Sequence, residues 1–132
     1  MLSEKRIKVG DEFYVLREID LYRPIYFAGA TGIFHPIYID PLFGKLAGFR
    51  GNILHEYCLT SFVISALCEW GGKKSSIKSI NIKFKGWTNP GDIIKIEWTV
   101  KRVKGKEISV LFRVYVREKE IAKGNGFIII SR

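Results

Sequence analysis

Ile53-Leu54-His55-Glu56-Tyr57-Cys58-Leu59-Thr60-Ser61-Phe62-Val63-Ile64-Ser65-Ala66-Leu67-Cys68-Glu69-Trp70 is the stretch on which the fold turns. Asn52 before it is a good N-cap and Gly71-Gly72 after it a good C-cap, so the pattern predicts one helix over 53–70. Tyr57, Leu59, Phe62, Ile64 and Leu67 point to most sides of a helical wheel. A helix that is apolar nearly all round is expected to be buried nearly all round. The ionisable residues lie at its ends, His55 and Glu56 in the first turn and Glu69 in the last. At the N-terminal end four backbone N–H groups lack helical partners and the dipole favours negative charge, so a developing oxyanion could be held there.

Working outward, Glu12-Phe13-Tyr14-Val15-Leu16 reads as a first strand after Gly10-Asp11. Asp20 can cap a helix from Leu21 to Ala30, with Pro24 tolerated in its first turn. Thr31 to Asp40 has no helical periodicity and is expected to be an extended loop; Pro41 opens a short helical turn through Ala47, and Gly48-Phe49-Arg50-Gly51 leads into the central helix. After Gly72 everything reads as strand. Ile80, Ile82 and Phe84 alternate with polar residues, as do Ile94, Ile96, Trp98 and Val100, then Ile108, Val110, Phe112, Val114 and Val116, and a last strand ends in Phe127-Ile128-Ile129-Ile130. Asn89-Pro90-Gly91-Asp92, Lys104-Gly105 and a tight turn near Glu118-Lys119 separate them. Strands joined this closely are expected to form an antiparallel meander. One long buried helix wrapped by a curved antiparallel sheet is an α+β hot-dog fold, here a single domain over 1–132.

Composition bounds the function. Lys plus Arg is 22 against Asp plus Glu 13, a formal charge of +9, with most of the basic residues after Gly72. That excess suits an anionic partner such as nucleic acid, a membrane surface or a phosphate-bearing ligand, or simply a charge-rich soluble surface. The basic half lacks interleaved exposed aromatics, and Trp70, Trp87 and Trp98 show no base-stacking spacing, so nucleic acid ranks below a phosphate-bearing ligand. Cys58 and Cys68 lie about 15 Å apart along one helix and cannot pair without breaking it. Free thiols fit a reducing cytoplasm. The start has no apolar leader pattern, and the uncharged part of the central helix is too short to span a bilayer. There is no phosphate loop, no metal-ligand cluster and no Ser-His-Asp signature.

Two motifs carry a resemblance. Thr31-Gly32-Ile33-Phe34-His35-Pro36-Ile37-Tyr38-Ile39-Asp40 is similar to a Ser/Thr-Gly-Asp-Phe-Asn-Pro-Ile-His-x-Asp loop. Phe49-Arg50-Gly51-Asn52-Ile53-Leu54-His55-Glu56-Tyr57 is similar to a Phe-x-x-x-Ile-x-His-Gly-Met entry to the helix, at the same spacing. Together they resemble the MaoC-like hot-dog family of (R)-specific enoyl-CoA hydratases and 3-hydroxyacyl thioester dehydratases. The resemblance implies the hot-dog fold, dimers or heteromers with another hot-dog subunit, and an acyl-CoA thioester as ligand, with no tightly bound cofactor.

The family's acid/base dyad, an Asp and a His, falls on Ile33 and Tyr38. Isoleucine moves no proton, and a phenol of pKa about 10 is a poor base at neutral pH. The family glycine whose N–H serves the thioester oxygen is Glu56. His35, two residues from both dyad positions, either supplies an acid/base or replaces a structural asparagine. Glu56 either acts as a relocated acid/base with a pKa raised by burial, or pairs with Arg50, or caps its own helix. His55 is expected to be structural, bonding the loop through its ring, and Tyr57 to lie in the core or an interface beside the substrate. Lys73, Lys74, Lys83 and Lys85 are first candidates for the phosphates of coenzyme A. Two function classes follow: a degenerate or accessory acyl-thioester-binding subunit, and an active hydratase, dehydratase or thioesterase using Glu56 and His35.

Overall fold

The structure, a computed structural model, describes residues 7–131. The elements run β1 (Glu12–Glu18), α1 (Arg23–Thr31), α2 (Pro36–Ile39), α3 (Pro41–Leu46), α4 (Glu56–Gly71), β2 (Ser76–Phe84), β3 (Ile93–Lys104), β4 (Glu107–Val116) and β5 (Lys119–Ile129). The strands make one antiparallel sheet in the order β1-β3-β4-β5-β2. Only β3, β4 and β5 form the expected meander. β2 follows α4, and the helix carries the chain across the sheet, so β2 pairs with β5 at the far edge while β1 pairs with β3 at the other.

The central helix is shorter and less buried than its composition suggested. It begins at Glu56, not Ile53, because Ile53 and Leu54 place their N–H groups on Ile37 O (3.0 Å) and Thr88 O (2.8 Å) instead of in a helix. His55 is the N-cap in place of Asn52, and Gly72 the C-cap. Leu59, Val63, Ala66, Leu67 and Trp70 form a single buried stripe on the core that includes Ile96, Trp98, Val110, Phe112 and Ile128. Each such aliphatic side chain contributes about 1.5–3 kcal/mol by burial. The opposite stripe, Tyr57, Ser61, Ser65 and Glu69, is exposed. Hydroxyls at this four-residue spacing outweigh the apolar residues around them, and the helix buries only one face against the sheet.

Phe13, Trp70 and Trp98 close the core under β1, with ring centroids 5.2 to 6.1 Å apart. Trp87 stands apart from them, half-exposed and edge-on to Phe49 at 4.8 Å. Two further expectations change in detail. α1 starts at Arg23 with no side-chain cap; the Asp20 carboxylate pairs with Arg23 (3.1 Å) instead. The β4–β5 turn falls on Arg117 and Glu118, both at positive φ (51° and 67°), the backbone of a two-residue hairpin whose twist matches the strands.

Candidate functional site

The segment between α1 and α4 is not an extended loop. Asp40 caps α3, its carboxylate accepting from Leu42 N (2.9 Å). His35 caps a one-turn helix ahead of it: the imidazole Nδ1 accepts from Ile37 N (3.1 Å). His55 does the same for α4, its Nδ1 accepting from Tyr57 N at 2.9 Å. Accepting at Nδ1 requires the neutral ring to carry its proton on Nε2. A ring in that state has its lone pair committed to the cap and offers a donor at Nε2.

The rings form a continuous row over the N-terminus of α4. His35 lies edge-on to Tyr38 (6.0 Å), Tyr38 against His55 (4.8 Å), and His55 against Tyr57 (4.9 Å) and Phe27 (5.2 Å). Tyr38 and His55 are half-buried, His35 and Tyr57 exposed. Ile33 is half-buried at the mouth of the segment, its N–H weakly held by Thr31 Oγ1 (3.3 Å). The structure therefore brings His35, Tyr38, His55, Glu56 and Tyr57 to one end of the central helix, with Ile33 at the start of the segment that carries them.

Glu56 does not pair with Arg50. It is exposed in the single chain, and its carboxylate makes no hydrogen bond or ion pair among the described residues. Arg50 pairs with Asp92 instead, donating through Nη2 to both carboxylate oxygens (3.1 and 3.0 Å). Asp92 also accepts from Asn89 N (2.9 Å) and Thr88 Oγ1 (3.1 Å). Burial alone would raise its pKa; the Asn89 N–H, Arg50 and Thr88 outweigh it and hold the carboxyl below its ordinary value. From this turn Asn89 Nδ2 donates to Asn52 O (2.8 Å), and Asn52 Nδ2 to Tyr38 O (2.9 Å). The buried turn thus fixes both motifs. Sequence reasoning named the turn but missed the clamp, which only the packing of residues 50 and 92 creates.

The lysines do not converge on the N-terminal end of α4. Lys73 and Lys74 follow the C-terminus of α4, about 24 Å of helix away from His55. Lys83 projects from the face of β2 opposite α4, and Lys85 is taken by Glu120. Cys58 is buried and its thiol is pushed up by that burial, against a smaller opposing pull from Arg23, so it is a packed side chain and not a nucleophile. Among the described residues no group of His, Cys, Asp or Glu could hold a metal ion, and no helix is long and apolar enough to cross a membrane.

The sequence pattern of the family described as "MaoC like domain" matches residues 16–121. The chain is 29% identical over 102 residues to "Enoyl-CoA hydratase 2, peroxisomal" of Arabidopsis thaliana, covering 76% of this chain and 31% of that protein. It spans less than a third of the curated relatives it matches. Among solved structures, the (R)-hydratase of A. caviae involved in PHA biosynthesis superposes with a TM-score of 0.87 at 20% identity, covering 95% of this chain and 98% of that one. The ChsH1-ChsH2 complex of Mycobacterium tuberculosis gives 0.85 at 17% identity, covering 96% and 100%. With the fold and the matched pattern in agreement, this chain belongs to the MaoC-like family of hot-dog hydratases and dehydratases.

Proposed function

We propose that this chain is an acyl-CoA-binding MaoC-like subunit with a disarmed hydration site, working as a dimer or beside another hot-dog subunit in a reducing, cytoplasmic setting. The observation that carries this is the pairing of Ile33 and Tyr38, at the dyad positions of the family motif, with two histidines already spent as caps. Hydration of an enoyl thioester needs one group for the α-proton, one for the β-hydroxyl and a donor for the carbonyl. The row supplies donors, from the Nε2–H groups and the first N–H groups of α4. It supplies no poised base.

The aromatic row suits an acyl chain, and the helix N-terminus suits the thioester oxygen. Assembly is supported by the exposed apolar side chains of α1 to α3 and their flanks, including Tyr22, Ile25, Tyr26, Leu42 and Leu46, which a second hot-dog subunit would cover. The ChsH1-ChsH2 complex among its structural neighbours supports the heteromeric form.

The test is turnover of crotonyl-CoA by the purified protein. A dyad group contributes about 10²–10⁴-fold, so the expected rate is barely above background while calorimetry shows acyl-CoA binding. The triple variant Ile33→Asp, Tyr38→His, Glu56→Gly is expected to raise it. The second reading, with Glu56 as an active base, is favoured by its unpartnered carboxylate at the helix N-terminus. It requires an active wild type that Glu56→Gln abolishes. Robust turnover that survives both Glu56→Gln and His35→Ala would exclude both.

A further inference from the structure

Like charges stand directly opposite one another on the outer face of the sheet. In register, Arg113 on β4 faces Lys123 on β5, and Lys123 faces Lys83 on β2. All three project away from α4, since their neighbours Phe112, Val114 and Ala122 are in the core and Ile82 packs against it. Adjacent strands lie about 4.8 Å apart, so the row spans about 10 Å. Opposed like charges destabilise a sheet, and the carboxylates within reach pair with Arg113 or with lysines outside the row, not with Lys83 or Lys123. Glu120 takes Lys85 and the Nε of Arg113 (3.1 Å). Glu97, opposite Arg113, accepts from the Tyr115 hydroxyl (3.1 Å) and pairs with Lys95 (3.6 Å). Lys83 and Lys123 make no ion pair among the described residues.

The next row along the same face is Thr99, Leu111, Asn125 and Asn81, neutral and rich in hydrogen-bonding groups. Asn81 Nδ2 donates to Asn125 Oδ1 (3.1 Å), which leaves the Asn81 carbonyl and the Asn125 amide hydrogens for a ligand. The two rows line a groove of about 490 Å³ that also includes Lys101 and, at its Arg113 end, the Glu97 carboxylate. A volume of this size is that of a small-molecule site.

We propose that this groove binds a nucleoside diphosphate, with the phosphates along Arg113, Lys123 and Lys83 and the base and sugar over Leu111, Thr99 and the two asparagines. Folding gains nothing from the opposed Lys83 and Lys123, which have no carboxylate partner, whereas a linear polyanion turns their repulsion into charge-assisted hydrogen bonds. A single phosphate reaches only one neighbouring pair of the row; two linked phosphates reach all three. The sheet separates the groove from the end of α4, so the site is distinct from the one that holds the thioester.

The experiment is calorimetry at low salt with ADP, tripolyphosphate and inorganic phosphate, on the wild type, Lys83→Ala/Lys123→Ala and Lys123→Arg. None of these probes carries an acyl group, so failure here leaves the thioester reading untouched. ADP and tripolyphosphate are expected to bind more tightly than phosphate and to weaken as salt rises. The double alanine variant should bind about tenfold more weakly or worse, and Lys123→Arg should bind like the wild type. Without ligand the double alanine variant should melt higher than the wild type, because the repulsion is gone, and ADP should no longer raise its melting temperature. No binding of ADP at low salt, binding of tripolyphosphate without ADP, or equal binding by the double alanine variant would overturn the proposal. So would a single-stranded oligonucleotide that displaces ADP at lower phosphate concentration, or a change of oligomeric size on Lys123→Glu.

Discussion

Arg50 and Asp92, 42 residues apart, meet in a two-oxygen ion pair that ties the entry to the central helix to the turn before β3. Asp92 is buried and Arg50 half-exposed, so the acid is the partner that cannot be left alone. Replacing it with Asn keeps the shape and removes the charge that Arg50, Thr88 and the Asn89 N–H all address. Asp92→Asn is expected to cost about 2–3 kcal/mol in urea unfolding. Arg50→Ala should cost less, since Thr88 and Asn89 still serve the carboxylate.

The same carboxyl sets an acid limit. Its pKa is lower in the folded chain than the ordinary 3.8, so below that value the unfolded chain binds the extra proton first. The stabilisation from Asp92 is therefore fully present above about pH 5 and is lost as pH falls through 3.8 toward the folded value. Melting temperatures followed from pH 6 to 3 should drop more steeply for the wild type than for Asp92→Asn. Parallel curves would show that the folded carboxyl is not lowered.

His55 caps α4 through Nδ1, a task asparagine performs well. His55→Ala should cost about 1 kcal/mol or more, from the lost cap and the lost ring contacts, whereas His55→Asn should recover the cap share. Chemical denaturation of the three proteins checks this. Equal losses would mean that the aromatic contacts alone hold the residue.

Gly44, in α3, has no room for a methyl group: a Cβ there would collide with the backbone carbonyl of Gly51. That close approach seats the short helices on the loop leading to His55. Gly44→Ala is expected to destabilise by about 1–3 kcal/mol and to shift the Arg50–Asn52 loop, visible as amide chemical-shift changes at residues 50–57.

Assembly gives a further check. The 15.2 kDa chain should not run as a monomer in light scattering at micromolar concentration. Tyr26→Glu or Leu42→Glu, on exposed apolar positions, should shift it towards one without unfolding it.

Much of the fold could be read from residue order because the signals were local. Alternation of Ile94, Ile96, Trp98 and Val100 with polar residues needs only the period of a strand, and those residues are buried as that period requires. Pro41 opening a short helix needs only its fixed φ, and α3 begins there. The start of α4 was misread because Asn52 is locally the better cap. Its side chain instead reaches Tyr38 O, fourteen residues back, a partner that exists only after folding. Likewise Glu56 and Arg50, close in sequence, do not pair, since the buried Asp92 is the stronger competitor for the guanidinium.

The sequence by itself determined the central helix, the strands and the family. These depend on which residue stands at which position, and short-range periodicity and motif spacing carry them. Tertiary structure alone decided that β2 crosses to pair with β5, that both histidines are spent as caps, that Asp92 anchors the site, and that three cations line up across the outer face. Each of those arises between segments far apart in the chain. No local pattern encodes them, because their energy appears only when the sheet closes around α4.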